Sequence, residues 1–127
     1  MNQTFTNARR ILVVEDNRDA ADSQAELLEL WGYQVAVAYD GLAGVGQAFT
    51  FRPAVVVMDI GLPLLDGYQA ARLIRDQPAL AGIRLIALTG YGREEDRQRA
   101  YDAGFDHHLT KPADLERLRE MISPAPK

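Results

Sequence analysis

The chain has 127 residues, enough for one domain with a full core, and its apolar (47%) and charged (25%) fractions are those of a globular protein. Eighteen acidic residues against 14 basic ones give a net charge of −4, which argues against a nucleic-acid surface as its main business. There is no cysteine and the two histidines are adjacent, His107 and His108, so disulfides, thiol catalysis and a zinc site of spaced ligands are excluded.

Residues 1–9 read as a flexible lead-in without the apolar core of a signal peptide, and no apolar run approaches membrane-spanning length. A cytoplasmic protein with no membrane contact is expected. Ile11–Val14 is a short strand that ends in Glu15 and Asp16. Asn17 can cap a helix over Asp19–Trp31, whose inner face carries Ala21, Ala25 and Leu28 with Leu27 and Trp31 beside them. Trp31 is read as core, and Gly32 stands just past the helix end.

Val35–Tyr39 is a second strand, broken by Asp40-Gly41. Leu42–Phe51 follows as a helix that Gly44 and Gly46 weaken by about 1 kcal/mol each relative to alanine. After Pro53, the run Ala54–Met58 reads as a strand buried on both faces, ending at Asp59. Gly61, Pro63 and Asp66-Gly67 supply turn chemistry, and Tyr68–Asp76 is a helix with Ala70 and Ile74 on one face. A loop bounded by Pro78 and Gly82 leads to a fourth strand, Leu85–Leu88, ending at Thr89-Gly90.

Arg93–Ala103 is a thinly packed, highly charged helix, stopped by Gly104. A fifth strand is expected over Phe105–Leu109, followed by Thr110-Lys111-Pro112. The last helix, Asp114–Ile122, turns Leu115, Leu118 and Ile122 inward, and 123–127 is a tail. Strands that alternate with helices throughout imply βαβ units and a parallel sheet covered on both faces.

Four of the five strands end in a chemically capable side chain: Glu15 and Asp16, Asp59, Thr89, and Lys111. In a parallel sheet all carboxyl ends share one edge, so these groups converge. Three carboxylates held together repel unless a cation intervenes. An all-oxygen acidic set without histidine or cysteine suits a hard divalent ion, Mg²⁺ by default. Thr89 offers a hydroxyl donor and Lys111 a point charge, both suited to phosphoryl oxygens. A carboxylate in that company is equipped to accept a phosphoryl group.

These residues carry a resemblance. The Glu15-Asp16 pair, Met58-Asp59-Ile60-Gly61-Leu62-Pro63 followed by Asp66-Gly67, Thr89-Gly90 and Lys111-Pro112 resemble the receiver domains of two-component response regulators, over residues 10–122. The resemblance implies a three-layer, doubly wound (βα)5, flavodoxin-like fold with a five-stranded parallel sheet in the order 2-1-3-4-5. It implies Asp59 as phosphoacceptor and Asp16 and Asp59 as direct Mg²⁺ ligands. The backbone carbonyl of Gly61 would be a third ligand, Glu15 would act through water, and Thr89 and Lys111 would contact the phosphoryl group. The donor would be a phosphohistidine on a histidine kinase or histidine phosphotransfer protein. A downstream protein would read the face made by the fourth helix, fifth strand and fifth helix. Two stretches look most similar to receivers of hybrid histidine kinases: 59–75, and 89–112 with its Asp106-His107-His108. Many receivers carry Tyr or Phe as a switch where this chain has His108. The side chain flanking the path of a hydrolytic water would be Tyr91, which either covers the phosphoryl group or points to solvent.

Three other readings stand beside this one. An Mg²⁺-dependent aspartyl-phosphate phosphatase or transferase of the haloacid-dehalogenase kind has a second acid two residues after its nucleophile, where this chain has Gly61. A degenerate receiver used only for docking would not need the intact acids, Thr89 and Lys111. The run Gly41-Leu42-Ala43-Gly44-Val45-Gly46 has the wrong order for a dinucleotide fingerprint and reads as a turn and a close-packed helix. The expectation is therefore a non-enzymatic phosphoacceptor switch.

Overall fold

The computed structural model describes residues 9–90 and 92–124. The expected lead-in over 1–9 apart from Arg9, the last residues of the tail and the expectation for Tyr91 lie outside them. The strands are β1 (Arg10–Val14), β2 (Gln34–Ala38), β3 (Val55–Asp59), β4 (Arg84–Thr89) and β5 (His107–Thr110). The helices are α1 (Arg18–Leu30), α2 (Gly41–Phe51), α3 (Gly67–Arg75), α4 (Glu94–Ala103) and α5 (Leu115–Ile122), with one 3-10 turn at Pro78–Leu80. All four strand pairings are parallel, in the order β2-β1-β3-β4-β5. This is the doubly wound, flavodoxin-like strand order that the resemblance implies.

Strand periodicity divides the core in two. Leu12, Val14, Val56, Met58, Leu85 and Ala87 face the side covered by α2, α3 and α4. Ile11, Val13, Val55, Val57, Ile86 and Leu88 face α1 and α5. Successive side chains alternate between faces, so a strand buried on both sides must be apolar throughout. β3 meets that condition at every residue up to its final acid.

The helices start where side chains cap them. Asn17 accepts from the Ala20 amide at 3.0 Å and Asp40 from Ala43 at 2.8 Å. Asp66 and Gln69 form a reciprocal capping box on α3. α4 has no side-chain cap and buries only Ala100 and Ala103, the thin packing expected of it. Its first turn carries Glu94, Glu95 and Asp96, favourable against the helix dipole. Among the described residues, no helix is long and apolar enough to cross a membrane.

Three expectations need correction. β5 begins at His107, because the Gly104 and Phe105 amides close α4 on the carbonyls of Tyr101 and Ala100, a Schellman arrangement that turns Phe105 into the core. Trp31 is only half-buried, at the margin of the second core cluster, with the Arg119 guanidinium 4.9 Å from its ring centroid. Leu115 is exposed, so α5 buries Leu118 and Ile122 alone. The close-packed helix expected after Gly41 is observed, with Gly44 buried in close approach to Val14.

Candidate functional site

The register of β1, β3 and β4 places their last residues on one edge. Glu15, Asp59 and Thr89 are the buried polar residues there, 7%, 8% and 5% exposed, and Asp16 beside them is exposed. One carboxylate oxygen from each of Glu15, Asp16 and Asp59 lies within 4.8 Å of the others. The fifth strand's end supplies Lys111, which β4 holds through the Lys111 amide to the Thr89 carbonyl at 2.7 Å.

Lys111 Nζ donates to Asp59 Oδ2 at 2.9 Å and to Glu15 Oε1 at 3.3 Å. The remaining oxygens are held by backbone. The Gly61 amide donates to Asp59 Oδ1 at 3.2 Å and the Asn17 amide to Glu15 Oε2 at 3.0 Å. Asp59 is therefore fixed from two sides and cannot rotate without breaking a bond. Glu15 and Asp59 share this lysine and Asp16 lies beside them, so the cluster of three acids carries more negative charge than Lys111 offsets.

That surplus appears in the ionisation of its members. Burial pushes the Glu15 carboxyl above its ordinary range; the Asn17 amide pulls it down, the Asp59 charge pushes it up, and Lys111 pulls it down. Burial alone would lower Lys111, but its hydrogen bond to Asp59 and the charges of Asp59 and Glu15 hold it above the usual lysine value. Lys111 is thus firmly cationic at neutral pH.

The loop after Asp59 is held by close approach. A Cβ on Gly67 would lie 2.8 Å from the Asp59 carbonyl oxygen, and one on Gly41 would lie 1.9 Å from that of Leu65, so neither position tolerates a side chain. Between these clamps Leu64 stands 77% exposed with φ of 71°. An exposed leucine in left-handed backbone, in the loop that follows Asp59, was missed in the sequence; the apolar pair Leu64-Leu65 inside a turn segment was the available signal.

His108 stands where the resemblance puts an aromatic switch. It is half-buried, and its Nε2 lies 3.1 Å from Thr89 Oγ1. Burial lowers its pKa, Arg97 lowers it further, and Asp96 opposes them. The structure therefore gathers Glu15, Asp16, Asp59 and Lys111 directly, with Gly61 on Asp59 and His108 on Thr89.

Comparison with known proteins places this arrangement. A family model described as the response regulator receiver domain matches residues 11–123. The DNA-binding dual master transcriptional regulator RpaA of Synechocystis is 34% identical over 89% of this chain, which spans about half (47%) of that regulator's length. The receiver domain of the sensor histidine kinase PA1611 from Pseudomonas aeruginosa is 35% identical with a TM-score of 0.82, covering 91% of this chain and 94% of its own; its crystal structure has magnesium coordinated in the active-site cleft. The receiver domain of the Saccharomyces cerevisiae response regulator Ssk1 is 27% identical with a TM-score of 0.83, over 91% of this chain and 86% of its own. It was crystallised with the histidine phosphotransfer protein Ypd1.

Proposed function

Because the chain belongs to the response regulator receiver domain family of two-component signalling, we propose that Asp59 is its phosphoacceptor and that the domain works as a switch and not as an enzyme. The observation that carries this reading is the Lys111 Nζ to Asp59 Oδ2 contact of 2.9 Å at a carboxylate 8% exposed. A carboxylate oriented by a cation on one oxygen and an amide on the other is a positioned nucleophile. In the transfer, the P–N bond of a phosphohistidine breaks as a P–O bond to Asp59 forms, and the leaving imidazole takes a proton from water. Lys111, charged at neutral pH, offsets part of the charge that arrives with the phosphoryl group, and the Thr89 hydroxyl donates to one of its oxygens.

The donor set fits a hard divalent cation: three carboxylates within 4.8 Å and no nitrogen or sulfur ligand among them. Asp16, Asp59 and the Gly61 carbonyl would hold Mg²⁺ directly, and Glu15 through water. Such an ion neutralises charge on phosphoryl oxygens. The magnesium in the cleft of the PA1611 receiver supports this choice of metal.

The donor protein is a histidine kinase or a phosphotransfer protein, a reading supported by the complex of the Ssk1 receiver with Ypd1. The output would leave through the α4-β5-α5 face, where α4 buries only Ala100 and Ala103. A second reading, a receiver module within a hybrid histidine kinase, is favoured by the likeness to the PA1611 receiver. We take residues 10–122 as the working domain.

The test is incubation with phosphoramidate and Mg²⁺, followed by intact-mass analysis and mapping of the base-labile adduct. One phosphoryl group on Asp59, absent from Asp59→Asn, is the expected result. Undiminished labelling of Asp59→Asn would falsify the assignment.

A further inference from the structure

The register of β4 and β5 pairs Ala87 with His108 and Thr89 with Thr110. His108 therefore lies diagonal to Thr89 across the two strands, within reach of its hydroxyl. The 3.1 Å separation of Thr89 Oγ1 and His108 Nε2 is a hydrogen bond between two part-buried side chains.

A hydroxyl has one proton to donate. A neutral imidazole has one acceptor nitrogen and is a stronger acceptor than a hydroxyl oxygen, so the favourable polarity is Thr89 donating to Nε2. In that arrangement the proton that a phosphoryl oxygen on Asp59 would need is already engaged. We propose that His108 is a positioning residue that accepts the Thr89 hydroxyl and competes with the phosphoryl group for its proton. The proposal rests on the reading of Asp59 as acceptor and of Thr89 as a phosphoryl contact.

The surroundings favour a neutral ring. Asp96, Arg97 and Tyr101 approach from α4, and Asp114 and Arg117 from the start of α5. With His108, four of these five line a cleft of about 260 Å³; Asp96 acts on it through its charge. Asp114 is occupied in capping α5 on the Glu116 and Arg117 amides. Burial and Arg97 hold the imidazole below its ordinary pKa against the pull of Asp96.

Acid reverses the polarity of the bond. An imidazolium cannot accept, so it donates to Thr89 Oγ1 and leaves the threonine proton for the phosphoryl group. Occupancy of Asp59 and protonation of His108 therefore favour each other, and each raises the equilibrium constant of the other by the same factor.

The experiment is a titration with beryllofluoride, a stable phosphoryl mimic, at saturating Mg²⁺, read on the Thr89 methyl resonance in wild type, His108→Phe and His108→Asn. At about pH 7.5, His108→Phe is expected to bind the mimic about fivefold more tightly, the equilibrium worth of one ordinary net hydrogen bond. That advantage shrinks as pH falls below the unperturbed histidine value of about 6.5, because only the wild-type ring changes polarity; the ratio of His108→Asn to His108→Phe stays flat across the same range. Nitrogen NMR of the wild-type ring should find Nε2 unprotonated in the free protein and protonated with the mimic bound. Equal or weaker binding by folded His108→Phe overturns the proposal. So does an Nε2–H tautomer in the free wild type at neutral pH, a result that stands even where the variants do not fold. Failure of wild type to bind the mimic, together with no phosphoramidate labelling of Asp59, overturns the acceptor reading itself. Labelling and binding that ignore His108 overturn only this inference.

Discussion

At the amino edge of the sheet, three arginines each reach the end of a helix. Arg10 donates to the carbonyls of Phe51 and Arg52 after α2. Arg75 donates to Gly104 after α4, and Arg84 to Met121 and Ser123 at the end of α5. At the carboxyl edge, Glu15 and Asp59 share Lys111, with Asp16 clustered beside them. The topology sets this polarity. In a parallel βα fold every helix starts at the carboxyl edge and ends at the amino edge, so positive dipole ends gather above and negative ones below. Arginines below and acids above complement both. The difference lies in closure: each of these arginines finds carbonyl acceptors at a helix end, while the acids outnumber the lysine that bonds them. A closed network serves stability, and an open one with surplus charge is suited to a ligand.

The division is tested most severely at Lys111, because it is the cation that bonds both buried acids of the open edge. Lys111→Ala is expected to slow phosphoryl uptake by about a hundredfold, the scale of removing one positioned charge from a reacting group. Mg²⁺ affinity should be kept or raised, since the lysine competes with the metal for Asp59 and Glu15. Labelling kinetics and a metal titration on the same variant separate the two. Loss of metal binding in Lys111→Ala would mean that lysine builds the acid site and does not merely balance it.

The closed edge predicts the opposite outcome. Arg75 donates to the carbonyls of Gly104 and Ile83 at 2.8 and 2.7 Å and to Asp106 Oδ2 at 2.7 Å, and the same Asp106 oxygen accepts from the Leu85 amide. Arg75→Met should lower folding stability by about 3 kcal/mol, less than the sum of its charge-assisted bonds because both side chains are partly solvated. Phosphoryl uptake per folded molecule should be unchanged. Urea denaturation beside a labelling assay decides it, and a variant that folds as well as wild type but labels poorly would erase the distinction between the edges.

Metal addition should restore closure at the open edge. Mg²⁺ at a hundred times its Kd is expected to stabilise the native state by about 2.7 kcal/mol. Asp16→Ala should lose most of that gain and Glu15→Ala less, as expected for a direct ligand and one acting through water. Thermal denaturation with and without Mg²⁺ gives the ranking, and the reverse order would swap the two roles.

The open edge was legible in the sequence and the closed edge was not. Asp59 announces itself by ending a fully apolar run, Glu15 and Thr89 by ending two more, and Lys111 by standing between the last strand and Pro112. Those signals are local, and parallel topology does the rest. Arg10 and Arg84 bond to carbonyls 37 to 42 residues away, and nothing near either in sequence marks it. The start of β5 was missed for a related reason: Phe105 has the apolar character of a strand residue, but its amide closes α4. The His108 contact depends on the β4–β5 register, which a single sequence does not specify. Leu64 alone carried a local sign, an apolar residue in a turn.

The smallest expected effect concerns the pH dependence of Glu15, whose carboxyl is held above its ordinary value of 4.5 by burial first and then by the Asp59 charge, against the Asn17 amide and Lys111. Below that ordinary value both folded and unfolded chains carry the proton. As pH rises past it, the unfolded chain releases the proton first, so the native state binds more protons and loses stability until its own Glu15 ionises. The ionised carboxylate is therefore a net cost to the metal-free fold at neutral pH. Glu15→Gln removes that cost and keeps an acceptor for the Asn17 amide. Without Mg²⁺ the variant should melt above wild type at neutral pH, and the gap should close as pH falls below about 4.5. With saturating Mg²⁺ the order should invert, because a carboxamide offers the cation a weaker donor and no charge. The measurement is a pair of melting curves against pH, with and without the ion. Wild type melting above Glu15→Gln in the metal-free state at neutral pH would show that Lys111 already satisfies Glu15, and the carboxyl edge would then be as closed as the amino edge.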